Sequence, residues 1–101
     1  MALINKPNEL GEGILVQVCK ALEDSKAAEQ VQQYISEGAE IIDRDLKGWS
    51  ALHYAVSRDL PLTIRVLMLA GADPFLRAED GLRPIDLAKT QSLRELLKVG
   101  I

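Results

Sequence analysis

Gly38-Ala39-Glu40 recurs as Gly71-Ala72-Asp73, and the glycine of Asp45-Leu46-Lys47-Gly48 recurs in Asp80-Gly81. Both landmarks are displaced by 33 residues, so the chain contains an internal repeat. No other feature constrains the fold as tightly. A unit of this length has two apolar sides and must stack on neighbours to bury them. Within the unit that ends at Gly71, Leu52, Ala55 and Val56 fall on one helical face, and Ile64, Val66, Leu67 and Met68 form a second apolar helix. Asp59 is placed to cap that second helix, with Pro61 tolerated in its first turn. Gly71 ends it by accepting positive φ. The pattern predicts helix, turn, helix and an extended glycine-containing tip, repeated.

The stretch Asp45-Leu46-Lys47-Gly48-Trp49-Ser50-Ala51-Leu52-His53-Tyr54-Ala55 resembles the ankyrin repeat signature, whose centre reads Thr-Pro-Leu-His-x-Ala. Ser50 stands for the Thr and Ala51 for the Pro, while Leu52, His53 and Ala55 match. One period later Pro84 and Ala88 are kept; Ile85 replaces Leu, Asp86 replaces His and Arg83 replaces Thr. The Gly-Ala-acid strings are similar to the Gly-Ala-Asp that closes each ankyrin unit. The resemblance covers residues 9–99 or so. It implies an all-α solenoid of stacked helix-turn-helix units that binds other proteins and carries no chemistry of its own. The implied boundaries are an N-terminal capping unit at 9–38, a full repeat at 39–71 and a shortened closing repeat at 72–101.

In the first unit, Ile14, Leu15, Val18, Cys19 and Leu22 make an amphipathic helix, and Val31, Tyr34 and Ile35 lie on a second one. No turn signature precedes it; Glu12, Gln17, Lys20 and Glu23 supply the polar face that a capping unit needs. At the other end, Leu93-Arg94-Glu95-Leu96-Leu97 matches Ile64-Arg65-Val66-Leu67-Met68 at an offset of 29, which predicts four residues lost between the helices. Ser92-x-x-Glu95 reads as a capping box opening the last helix. Glu95 in place of Val66 argues against a further unit, so the chain reads as a complete, minimal stack. Arg83 and Asp86 are expected to form an i, i+3 ion pair where a Thr–His bond is usual, and the closing unit is expected to fray first.

With 101 residues and 48% apolar content, the chain supports one domain with a continuous core. A net charge of −3, without aromatics interleaved with basic residues, argues against nucleic acid. No segment approaches the roughly 20 apolar residues of a membrane helix. Residues 1–10 hold no long apolar run, and Pro7-Asn8 interrupt it, so no secretory signal is read. One cysteine rules out an intramolecular disulfide, and together these features favour a reducing cytoplasm. Charge is unevenly spread: residues 1–43 carry net −5 and residues 44–101 net +2. Arg44, Lys47, Arg58, Arg77 and Arg83 fall in or beside the tips and first helices. That distribution favours an acidic protein partner, or is ordinary surface solvation.

Catalysis finds little support. Cys19 and His53 are each the sole residue of their type, and the two are too few for a metal ligand set. At the 33-residue offset Cys19 falls at the position of Leu52 and fills the core as a small hydrophobe. The resemblance implies that His53 rivets its own turn to the backbone of the next. Gly11-Glu12-Gly13 lacks the preceding strand and third glycine of a phosphate loop, and Asp43/Asp45 and Glu79/Asp80 belong to turns. No catalytic residue, metal ligand or cofactor is assigned. Carried over by position, the ankyrin-like contact surface is Arg44, Leu46, Lys47, Trp49 and Arg58, then Arg77, Glu79 and Leu82. Trp49 reads as an interface hot spot, or as a ring folded back over the adjacent turn. Phe75 and Leu76 either extend the apolar tips or seal the junction to the last unit. Leu60, Leu62 and Leu69 are placed on the outer side of the second helix, where Leu62 and Leu69 offer a second contact. The expected state is a monomer, with a homodimer through Leu62 and Leu69 as the other. Three roles stay open: an interaction module, a stoichiometric inhibitor or neutraliser of an enzyme or toxin, and an adaptor subunit of a larger complex or homodimer.

Overall fold

A computed structural model describes residues 6–99. The helices run α1 (Ile14–Ala21), α2 (Asp24–Ser36), α3 (Ala51–Ser57), α4 (Pro61–Leu69), a 3-10 helix (Pro84–Leu87) and α5 (Gln91–Val99). Among the described residues extended pairing is limited to one antiparallel bridge, Arg44 with Ser50. The fold is all-α. Helices α1, α3 and the 3-10 helix lie side by side in one layer, with α2 against α4 in the other and α5 resting on the 3-10 helix. Leu15, Cys19, Val31, Leu52, Val56, Ile64, Leu67 and Leu97 are almost wholly removed from water, so each unit contributes to one core. Each large aliphatic side chain buried in this way contributes about 1.5–3 kcal/mol.

Three turns of similar shape precede the first-layer helices. In the first, Asn8 Oδ1 accepts from the Leu10 and Glu12 amides at 3.0 and 2.9 Å. In the second, Asp45 Oδ1 accepts from the Lys47 and Trp49 amides at 2.9 and 3.0 Å. In the third, Asp80 Oδ1 accepts from the Leu82 amide at 3.0 Å. The turn at Asn8 is one the repeat analysis missed, because it lies 37 residues before its counterpart rather than 33. The difference is one helical turn: α2 has 13 residues and α4 has 9. In this register Cys19 is equivalent to Val56, not Leu52, although it is buried as expected. Glu12 also departs from expectation. It is buried rather than part of a solvated face, ion-paired with Lys20 and accepting from Asn8 Nδ2 at 3.0 Å.

Capping is arranged partly between units and partly within them. Asp59 does not cap α4. It takes φ 58° at the end of α3, while Leu60 occupies the N-cap and is buried, not on the outer face. The α4 amides of Leu62 and Thr63 donate instead to the carboxylate of Asp24, at 3.0 and 2.9 Å, from the start of α2. In return, Arg58 donates to the carbonyls of Cys19 and Leu22 at 2.8 and 2.6 Å, satisfying the end of α1. In the closing unit Thr90, not a Ser92–Glu95 box, caps α5 by accepting from the Leu93 amide at 3.1 Å. The shortening falls inside the first helix, which shrinks from seven residues in α3 to a four-residue 3-10 helix. Arg83 and Asp86 form the expected ion pair at 2.8 Å. Asp86 also accepts the Arg83 amide at 2.9 Å, the position His53 Nδ1 holds for the Ser50 amide at 3.0 Å.

Candidate protein-binding interface

The second and third turns are locked to each other. His53 is fully buried; its Nδ1 accepts from the Ser50 amide, which leaves the proton on Nε2, donated to Leu82 O at 2.9 Å. The Glu79 amide donates to Lys47 O at 3.1 Å, and the Trp49 indole N–H donates to Asp80 at 3.2 Å. Trp49 is half-buried, its ring 5.4 Å from that of His53 and 5.0 Å from that of Tyr54. The indole therefore serves the stack itself. Lys47 lies over the Trp49 and Tyr54 rings at 5.4 and 5.8 Å.

Charges at the turns are set by these bonds. Burial opposes ionisation of Asp45, but the Tyr54 hydroxyl and the Trp49 and Lys47 amides outweigh it and hold the carboxyl below the ordinary range. The Leu82 amide does the same for Asp80. Burial lowers His53 and favours the neutral ring. Burial also pushes the Cys19 thiol up to about 12, so almost no nucleophilic thiolate exists near neutral pH. Among the described residues no group of three or more His, Cys, Asp or Glu side chains is arranged to hold a metal ion.

The residues assigned from the sequence divide four ways. Arg44, Arg77 and Glu79 line one open groove of about 520 Å³, together with Ile42 and Ala78. Leu46 and Lys47 line another of about 220 Å³ on the other flank of the tip, beside Leu10, Glu12 and Lys20. The Trp49 indole, the Arg58 guanidinium and the Leu82 carbonyl are engaged in the bonds between units given above, while Arg58 remains exposed. Leu62 and Leu69 are exposed on a separate face, where Leu69 borders a groove of about 230 Å³ with Gln32, Ile35 and Val66. Two exposed side chains at the tips were overlooked, Leu10 and Ile42, the latter 74% exposed. Ile42 had a signal: the 33-residue offset pairs it with Phe75, which is also exposed and has the Arg83 guanidinium 5.9 Å above its ring.

Comparison with known proteins agrees with this geometry. Residues 47–79 match the family model for the ankyrin repeat. A putative ankyrin repeat protein of Acanthamoeba polyphaga mimivirus is 38% identical over 79 residues, covering 78% of this chain and 11% of its own length. The human mitochondrial disaggregase is 42% identical over 54 residues, 54% of this chain and 8% of that protein. Human protein phosphatase 1 regulatory subunit 27 is 41% identical over 59 residues, 58% of this chain and 38% of that protein. The chain thus spans well under half the length of these relatives. Among solved structures, the ankyrin repeat domain of Bcl-3 superposes with a TM-score of 0.84 at 26% identity, covering 96% of this chain and 41% of that one.

Proposed function

The chain belongs to the ankyrin repeat family, and on that premise we propose that it is a non-catalytic module that grips a protein partner through its turn tips. The observation that carries this reading is the composition of the tips. Leu10, Ile42 and Leu46 are 61%, 74% and 72% exposed, beside the exposed cations Arg44, Lys47 and Arg77. Apolar side chains beside arginine and lysine, on turns pinned by hydrogen bonds to Asn8, Asp45 and Asp80, present contact area that needs little ordering on binding. No helix among the described residues is long and apolar enough to cross a membrane. A second reading makes the partner an enzyme held in check. It is favoured by the relative that is, by name, a regulatory subunit of a phosphatase.

Affinity capture from a lysate tests the site. A partner held by the native chain should be lost by the variant combining Leu46→Ala, Arg44→Glu and Arg77→Glu. Trp49 and Arg58 are left intact because their substitution would disturb the stack. A partner kept by that variant but released by Leu62→Glu with Leu69→Glu would move the interface to the outer face. Inhibition of the captured enzyme by stoichiometric chain would establish the second reading.

A further inference from the structure

We propose that the outer face formed by α2 and α4 docks a second copy of the chain, with α4 of each copy lying along α2 of the other. This surface is separate from the turn tips, and the proposal does not depend on what the tips hold. Leu62 and Leu69 stand two helical turns apart on α4 and are 52% and 71% exposed. At the offsets that relate the units, their places are taken by Glu29 and Ser36 on α2 and by Gln91 and Lys98 on α5. The apolar stripe thus belongs to the central unit alone. Beside it Gln32, Ile35, Val66 and Ala70 wall a groove of about 230 Å³ whose rim is Leu69. One face therefore holds both an aliphatic ridge and a hollow of aliphatic size, the self-matching that a two-fold interface needs.

Charge selects the occupant and its direction. The exposed ions of this face alternate in sign, with Lys26 and Glu29 on α2, Asp59 just before α4 and Arg65 on it. None of the four forms an ion pair among the described residues. The other acids of α2 are engaged locally, Glu23 by Ser25, Glu37 by Gln33 and Asp24 by the α4 amides. Lys26 and Asp59 are 33 residues apart and Glu29 and Arg65 are 36, so each pair stands at a similar height on neighbouring helices. A two-fold axis along the groove lays α4 of one copy parallel to and over α2 of the other. It sets Lys26 against Asp59 and Glu29 against Arg65, twice over. Like helix on like helix would instead set Arg65 against its own copy. A partner of one charge sign would meet repulsion from half of these ions. The contact is small: helices about 20 Å long and about 10 Å apart offer about 400 Å² per copy, against about 800 Å² in a standard interface. Association is therefore weak, and its consequence is to present two sets of turn tips together.

Sedimentation equilibrium from about 10 μM to about 1 mM, where so small an interface associates, tests the proposal. The mass should rise with concentration from 11.1 kDa toward twice that value. Leu69→Gln should weaken association about tenfold or more, because the two-fold removes two leucines at once. Arg65→Glu should weaken it about three- to tenfold, as two exposed pairs are lost. Arg65→Glu combined with Glu29→Arg should restore it, since each pair is then rebuilt with its signs exchanged. All three positions are exposed, and circular dichroism checks that the variants fold. A chain that stays monomeric throughout would overturn the proposal, even if a different protein were captured through Leu62 and Leu69. So would association that Leu69→Gln leaves unchanged, or that Ile42→Ser abolishes, which would place the contact at the tips. Failure of the double reversal to recover what Arg65→Glu loses would overturn the laying of α4 on α2.

Discussion

A β-carbon at Gly48 would meet the amide nitrogen of Glu79 at 2.9 Å, and that nitrogen is itself donating to Lys47 O. Gly48 also has φ 80°, so a side chain there is strained twice, by its own backbone and by the next turn. Gly81 has φ 84° at the equivalent position, but no atom lies within 4 Å of its added β-carbon. The pair separates the two costs. Gly81→Ala should destabilise by about 1–2 kcal/mol, the cost of left-handed backbone alone. Gly48→Ala should cost about 2–4 kcal/mol, because the clash adds to it. Urea unfolding of both variants checks this, and equal losses would mean that the second and third turns are not in contact in solution. Cys19 offers a second residue-scale test. With its thiol buried and pushed up to about 12, it should resist alkylation in the folded state and react only at the rate of unfolding. Rapid labelling without denaturant would place it outside the core.

At the scale of elements, α4 begins on a cap that another helix supplies. The amides of Leu62 and Thr63, and the Thr63 hydroxyl, all donate to the Asp24 carboxylate. Asp24→Ala should therefore destabilise by about 1–2 kcal/mol, as loss of an N-cap does. Asp59→Gly should be neutral or mildly stabilising, because Asp59 holds positive φ rather than a cap. Thermal unfolding of the two variants decides between the caps; the reverse order would restore Asp59. This arrangement also shows which elements a sequence makes legible. Helices α3 and α4 follow from apolar spacing and a closing glycine, both local signals, and they were read correctly. The extra turn of α2 was hidden, because it shifts the Asn8 turn away from the 33-residue register. The capping bonds of Asp24 and Arg58 were not legible, because their partners lie 36 to 39 residues away in sequence. The same applies to the interface. The turn positions of Leu46, Arg44 and Arg77 could be read from the repeat, but the half-burial of Trp49 depends on Asp80 across the next turn.

The stack as a whole is held by bonds that acid removes in two stages. His53 has its pKa lowered from the usual 6.5 because burial disfavours the imidazolium, and its Nδ1 must stay unprotonated to accept from Ser50. The unfolded chain therefore binds more protons than the folded one between the folded pKa and 6.5. Stability from this group is complete above 6.5 and falls as pH drops through that interval, by at most about 1.4 kcal/mol per pH unit. The second stage belongs to carboxyls whose folded pKa is depressed. Lys20 and Asn8 lower Glu12, amides and the Tyr54 hydroxyl lower Asp45, the Leu82 amide lowers Asp80, and Arg83 holds Asp86 near 2. Their contribution is present above the unfolded values of 4.5 and 3.8 and is lost as pH falls below them. Asp43, raised by burial and by Glu40, acts in the opposite sense and offsets part of that loss. Denaturant midpoints measured from about pH 7.5 to about pH 3, roughly one unit either side of the usual carboxyl and histidine range, should fall in both stages. In His53→Gln the upper stage should vanish while the lower one remains. Because protonation of Nδ1 breaks the bond that His53 accepts from the Ser50 amide while Nε2 can still donate to Leu82 O, hydrogen exchange in the upper stage should rise first at the start of α3. A uniform rise over all five helices would instead mean that the three units open as one.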